Sequence, residues 1–182
     1  MHWRLPGTIL SIDRADAATI EKQFSSMFLG GGIVLSQVAG ITGLEPYTIQ
    51  NWVKRGFLPP PDHKRYNINQ LCRIININLL KRSLLMEQIV GLLSYINGSL
   101  SDTSDDIIDD SQLYFLFVKL AASAPSLRDP NEANASIEAL LQDYQEPIPG
   151  AKERVAKVMK VMITAWGAAR LHDAANRMAA EL

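Results

Sequence analysis

Residues 35–56 read LSQVAGITGLEPYTIQNWVKRG, and this stretch decides the fold. Val38, Ala39, Thr42 and Leu44 fall at helix-like intervals around a first helix and its turn. Ile49, Trp52 and Val53 repeat at i, i+3 and i+4, which gives a second helix one buried face. Ala39 is small where the two helices would cross closely. Gly43 stands in the turn, where a residue tolerant of positive φ is wanted. Pro46 suits the first position of a helix, which does not need its missing N–H. Gly56 suits the position just past a helix end, directly after Lys54 and Arg55, whose charge favours a helix C-terminus. Start signal, stop signal and apolar stripe agree, and together they predict two short helices joined by a tight turn.

Working outward, the connection FLPPPDHKRY (57–66) follows. Pro59-Pro60-Pro61 cannot be helical, and Asp62–Tyr66 reads as a short wing or loop. Tyr66 is expected to pack this wing on the core. Asn67 and Gln70 form a capping-box-like start. The helix after them carries Leu71, Ile74, Ile75 and Leu79 and ends near Arg82; the next runs from about Leu85 to Ile96, closed by Asn97-Gly98. On the N-terminal side, Asp16 to Leu29 suggests a helix with Asp16 as N-cap and Ile20, Phe24, Met27 and Phe28 as its stripe. Gly30-Gly31-Gly32 is a hinge or tight connection; no Gly-Lys-Ser/Thr follows it, so it is not a phosphate loop. Towards the C-terminus, Ser99 to Asp106 is a polar loop. Ile107 to Ala124 is apolar all round, central to a core or a dimer interface. Pro125 to Pro130 reads as a turn, Asn131 to Tyr144 as an amphipathic helix, and Ala151 to Glu181 as one long helix with Val155, Val158, Met159, Met162 and Trp166 inward.

The chain has 182 residues, 47% hydrophobic and 20% charged, the composition of an ordinary globular protein. No apolar run is long enough to cross a membrane, and MHWRLPGTIL lacks the apolar core of a signal peptide. Cys72 is the single cysteine, which excludes an intrachain disulfide and a thiolate metal cluster. A cytoplasmic protein is the expectation. The net charge of −1 hides a segregation. Residues 33–93 hold seven Lys/Arg against three acids, a net of +4. Residues 94–150 come to −8, and residues 151–182 to +3. The helix pair is therefore in a cationic segment, as attraction to phosphates requires.

A helix pair of this kind presents its second helix to the DNA major groove. The face opposite Ile49, Trp52 and Val53 offers Tyr47, Thr48, Gln50 and Asn51 for base edges: Gln and Asn can pair with adenine, and Thr can touch a thymine methyl. Lys54, Arg55, Lys64 and Arg65 are the phosphate candidates, with His63 joining them when protonated. Arg73, Lys81 and Arg82 are weaker ones. The plainer alternative is an ordinary solvated polar face. Cys72 reads as a buried small residue. The aspartates between 102 and 110 lack the spacing of a calcium loop. The three histidines, His2, His63 and His172, have no metal or catalytic spacing, and no nucleophile-plus-base set stands out. Neither a cofactor nor a metal is expected, and the chain does not read as an enzyme.

The phrases SQVAGITGLEPYTIQNWVKRGFLPP, KRY, LCRI and MEQIVGLL resemble the DNA-binding domain of MerR-type regulators. TIQNWVKRGFLPPP, KRYNINQL, INLLKRSLLMEQI and DSQLYFLFVKL are similar to a family of uncharacterised bacterial MerR-like proteins, grouped as a domain of unknown function. The resemblance implies a winged helix-turn-helix with a helical extension and a role in bacterial transcription control. Glu45 stands where MerR-type proteins commonly have Ser or Thr, the wing is short, and the MerR metal-binding cysteines are missing.

The expectation is thus an all-α or nearly all-α chain. Residues 1–32 form an N-terminal helix and glycine hinge, 33–97 a MerR-like helix-turn-helix with a reduced wing, and 98–182 a helical dimerisation or regulatory extension. Its function is that of a dimeric, sequence-specific regulator binding double-stranded DNA, with a small-molecule or protein effector as a further partner. The alternative is a protein–protein interaction module that keeps the winged fold without binding DNA.

Overall fold

The computed structural model describes residues 2–100, 102, 104–123 and 133–182. The chain is mostly helical, with short strands only. It opens on a hairpin of β1 (His2–Arg4) and β2 (Ser11–Asp13), paired antiparallel with Trp3 opposite Ile12. Its loop is closed by Leu5 N–H donating to Leu10 O at 2.9 Å, and Gly7 supplies the positive φ. A 3-10 helix, Arg14–Thr19, leads into α1 (Ile20–Met27). This corrects the expected first helix. Asp13, not Asp16, is the cap, its carboxylate accepting from Ala15 N–H. Only Ile20 and Phe24 of the expected stripe are buried; Met27 is exposed.

After the glycine turn, β3 (Ile33–Val34) passes directly into α2 (Leu35–Thr42), and α3 (Pro46–Lys54) follows. Gln37 Oε1 accepts from Val34 N–H at 3.0 Å, which ties down the start of α2. Gly43 ends α2 in the left-handed region at φ 72°, and Pro46 takes the first turn of α3. β4 (Arg65–Tyr66) pairs antiparallel with β3, Ile33 opposite Tyr66 and Val34 opposite Arg65. Tyr66 is buried, anchoring this ladder to the core.

α4 (Ile68–Leu80) begins with the expected reciprocal cap: Asn67 Oδ1 accepts from Gln70 N–H, and Gln70 Oε1 from Asn67 N–H. Gln70 Nε2 also donates to Pro60 O at 2.8 Å, so one side chain fixes both the helix start and the proline segment. α5 (Met86–Asn97), α6 (Asp110–Ser123), α7 (Asn134–Leu140) and α8 (Ala151–Ala180) complete the chain. α6 starts three residues later than the apolar run suggests, and α7 is shorter than the amphipathic pattern. The expected turn at Pro125–Pro130 and the first residues of the expected Asn131–Tyr144 helix lie outside the described residues.

The core is one continuous cluster from Leu5 to Ala165. α4 is buried on nearly every side, and α6 packs along it. Phe24, Tyr114 and Phe115 meet with ring centroids 5.7–5.9 Å apart, near the distances aromatic pairs prefer. Tyr114 Oη donates to Pro6 O at 3.0 Å and holds the N-terminal hairpin loop onto α6. α8 lies against α4, α5, α6 and α7. Buried residues of α8 stop at Ala169, and beyond it Leu171 and Met178 are exposed. No helix among the described residues is long and apolar enough to cross a membrane.

Candidate functional site

The α3 sequence sorts its own side chains. Ile49 and Trp52 are buried against the core, while Val53 is partly covered. The opposite face carries Tyr47, 75% exposed, with Gln50, Lys54 and Arg55 also exposed. Thr48 and Asn51 lie half-buried at its margins. Glu45 is the N-cap residue through its backbone alone. Its carbonyl accepts from Thr48 N–H at 2.9 Å, and its side chain makes no cap hydrogen bond. The carboxylate stays exposed at the start of α3.

Two aromatic rings hold cations near α3. Arg55 lies with its guanidinium carbon 4.7 Å from the Phe57 ring, and Lys81 Nζ is 5.7 Å from the Trp52 ring. Burial, and then the neighbouring Arg82, lower the Lys81 pKa. Gly56, at φ 73°, turns the chain out of α3 just past Arg55.

Lys64 and Arg65 sit at the tip of the β3–β4 ladder, which extends from the N-terminal end of α2. Asp62 O accepts from Arg65 N–H at 2.7 Å, and the two residues between, His63 and Lys64, have φ of 43° and 63°. Positive φ at both central positions is the signature of a type I′ turn, the turn that suits a two-residue hairpin. Asp62, His63, Lys64 and Arg65 are all exposed. Arg65 Nη1 donates to Gly32 O at 3.0 Å, which ties the guanidinium to the residue just before β3. A Cβ at Gly32 would stand 3.0 Å from Tyr66 O, so the glycine permits the close ladder.

The weaker basic candidates separate. Arg73 is only 3% exposed and is spent inside the fold: Nη1 lies 3.2 Å from Asp110 Oδ2, and Nε donates to Phe57 O at 3.0 Å. It is no phosphate ligand, because the pair closes the contact between α4 and α6. Arg82 is paired with Asp173 of α8. Cys72 is buried in α4, and burial together with the Asp110 carboxylate push its thiol well up, which keeps it protonated. Sequence reading had no signal for Asn78, whose Nδ2 donates to Gly7 O at 2.8 Å and to Thr42 O at 3.0 Å. That side chain joins the N-terminal hairpin to the end of α2. Among the described residues, no group of three His, Cys, Asp or Glu is placed to hold a metal ion.

These features define a mostly helical protein with a polar, basic helix face and a separate basic hairpin tip. The chain belongs to the family described as Domain of unknown function (DUF1836), whose sequence profile matches residues 19–117. That match runs from the end of the 3-10 helix into α6 and includes the α2–α3 pair, the hairpin tip and the Arg73–Asp110 contact. The chain is also similar to the uncharacterized protein YkrK of Bacillus subtilis (strain 168). The two are 24% identical over 162 residues, spanning 82% of this chain and 70% of the relative. Both findings place it in a bacterial family of unknown function. No solved structure matches it.

Proposed function

We propose that the chain is a sequence-specific DNA-binding transcriptional regulator of the MerR-like winged helix-turn-helix kind. α2 and α3 form the helix pair, with the 62–66 hairpin as a reduced wing and residues 98–182 as a dimerisation or regulatory extension. The supporting observation is the exposed face of α3, where Tyr47, Gln50, Lys54 and Arg55 stand clear of the core. Tyr47, Thr48, Gln50 and Asn51 read base edges; Lys54, Arg55, Lys64 and Arg65 meet phosphates. The protein acts without catalysis, cofactor or metal, in the cytoplasm. α6 is covered within the chain by α4 and α8, so the homodimer reading rests on the exposed outer residues of α8.

Selection of genomic DNA with the purified protein at two salt concentrations tests this reading. The expected result is an enriched pseudo-palindromic site whose affinity falls steeply with salt. Gln50→Ala should weaken that site by about 1–3 kcal/mol, and Lys54→Ala should lower the salt slope by about 1. No enrichment of any fragment, or salt-insensitive binding, would overturn it. Sedimentation as a monomer at micromolar concentration would remove the dimer.

A second reading is favoured by Glu45, whose exposed carboxylate would face a phosphate backbone. Here the winged fold binds a protein. Retention of one protein partner after nuclease treatment, unaffected by Gln50→Ala or Lys54→Ala, would replace the first reading with this one.

A further inference from the structure

A cavity of about 420 Å³ lies where four distant parts of the chain meet. The N-terminal hairpin supplies Trp3, Arg4 and Ile9; the end of α2 supplies Thr42 and Gly43. Asn78, Leu79 and Arg82 come from the end of α4, and Trp166, Ala169, Arg170 and Asp173 from α8. The volume falls within the roughly 300–1,000 Å³ of small-molecule sites.

The lining joins two kinds of chemistry. Two indoles and the aliphatic Ile9, Leu79 and Ala169 offer apolar walls, and Ile9 keeps 46% of its surface exposed. Three arginines face one carboxylate in the lining, a net charge of +2. Arg82 is held by Asp173, with Nη1 2.9 Å from Oδ2. The guanidinium carbon of Arg170 lies 4.6 Å from the centre of the Trp166 ring. Stacking on an indole fixes the place of a guanidinium, so Arg170 holds its positive charge at one point of the lining. Arg4 has its Nε engaged by Thr8 O at 3.0 Å, which positions a second guanidinium from the hairpin.

We propose that this cavity is a binding site for a small molecule with a flat aromatic ring and a carboxylate. The ring rests on Trp3 and the aliphatic walls, and the carboxylate pairs with Arg4 in the field of the Arg170 cation. An occupant touches the hairpin, the turn after α2 and α8 together. The site is independent of whether α3 binds DNA, and its test uses none.

The test is titration of the full chain with 2-naphthoate, using 2-naphthamide and acetate as controls. Calorimetry should show saturable one-to-one binding of 2-naphthoate, with both controls at least about tenfold weaker, a difference of about 1.4 kcal/mol. The chain has three tryptophans, and only Trp52 lies outside the cavity lining. In ¹⁵N-resolved spectra the indole signals of Trp3 and Trp166 should shift with 2-naphthoate while that of Trp52 stays. Arg4→Gln with Arg170→Gln should weaken binding at least about tenfold. Absence of saturable binding overturns the proposal. So does equal binding of the neutral amide, a shift confined to Trp52, or unchanged affinity in a double variant that melts like the parent protein.

Discussion

Two glycines with nearly the same backbone show how one residue's surroundings set its cost. Gly43 has φ 72° and Gly56 has φ 73°. A Cβ at Gly43 would meet Ile9 Cγ2 at 2.5 Å, whereas one at Gly56 would meet nothing within 4 Å. Left-handed backbone costs an L-residue about 1–2 kcal/mol. Gly56→Ala should therefore lose only that, and Gly43→Ala should lose more, with part recovered by adding Ile9→Ala; urea unfolding of the variants measures the difference. Asp106 makes a second case. Burial first, then repulsion from Asp110, Asp105 and Asp109, push its carboxyl from 3.8 up to about 6. The folded chain then holds this proton more readily than the unfolded chain does. Folding takes up a proton between those two values, so stability declines as pH rises through the window. Asp106→Asn should stabilise the protein at pH 7.5 by on the order of 1 kcal/mol, allowing for solvent screening of a partly covered group. The gain should vanish below pH 4; denaturant midpoints across pH measure it.

Among the elements, α4 and α6 depend on a buried ion pair. Arg73 and Asp110 keep 3% and 12% of their side-chain surface exposed, and Asn76 Nδ2 adds a hydrogen bond to Asp110 O at 3.3 Å. Burial pushes the Asp110 carboxyl up, and Arg73 pulls against that. Arg73→Met should destabilise by about 3–5 kcal/mol, because it leaves a carboxylate buried without its cation. Arg73→Met with Asp110→Leu should cost less, and chemical denaturation of the single and double variants compares them. This pair was illegible in the sequence because its partners are 37 positions apart, and no local period relates them. Gly43, Pro46, Gly56, Asn67 and Gln70 were legible, since each acts within one turn of its own helix. The β1–β2 hairpin escaped notice because three-residue strands are too short to show an alternation. Of the candidate site, the exposed face of α3 followed from its apolar stripe, whereas the removal of Arg73 and Arg82 from the basic set required their distant carboxylates.

Across the whole molecule, the core runs without a break from the N-terminal hairpin to α8. α4 buries Leu71, Ile74, Ile75 and Ile77 completely, and its neighbours include α6 and α8 as well as α2 and α5. A fragment of residues 33–97 would expose the α4 surface that α6 and α8 cover. It should not fold alone, and its far-ultraviolet circular dichroism should lack a cooperative melt, while the full chain should unfold in one transition by circular dichroism and by tryptophan fluorescence.

If the hairpin tip meets phosphate as proposed, it puts survival and performance in opposition. His63 and Lys64 both take left-handed backbone that glycine adopts freely. Lys64→Gly should stabilise by up to about 1 kcal/mol. A library varied at position 64 and sorted for heat tolerance should converge on glycine. On the proposed DNA-binding reading, the same library sorted for operator retention should keep lysine, so the two sorts would rank one position in reverse order.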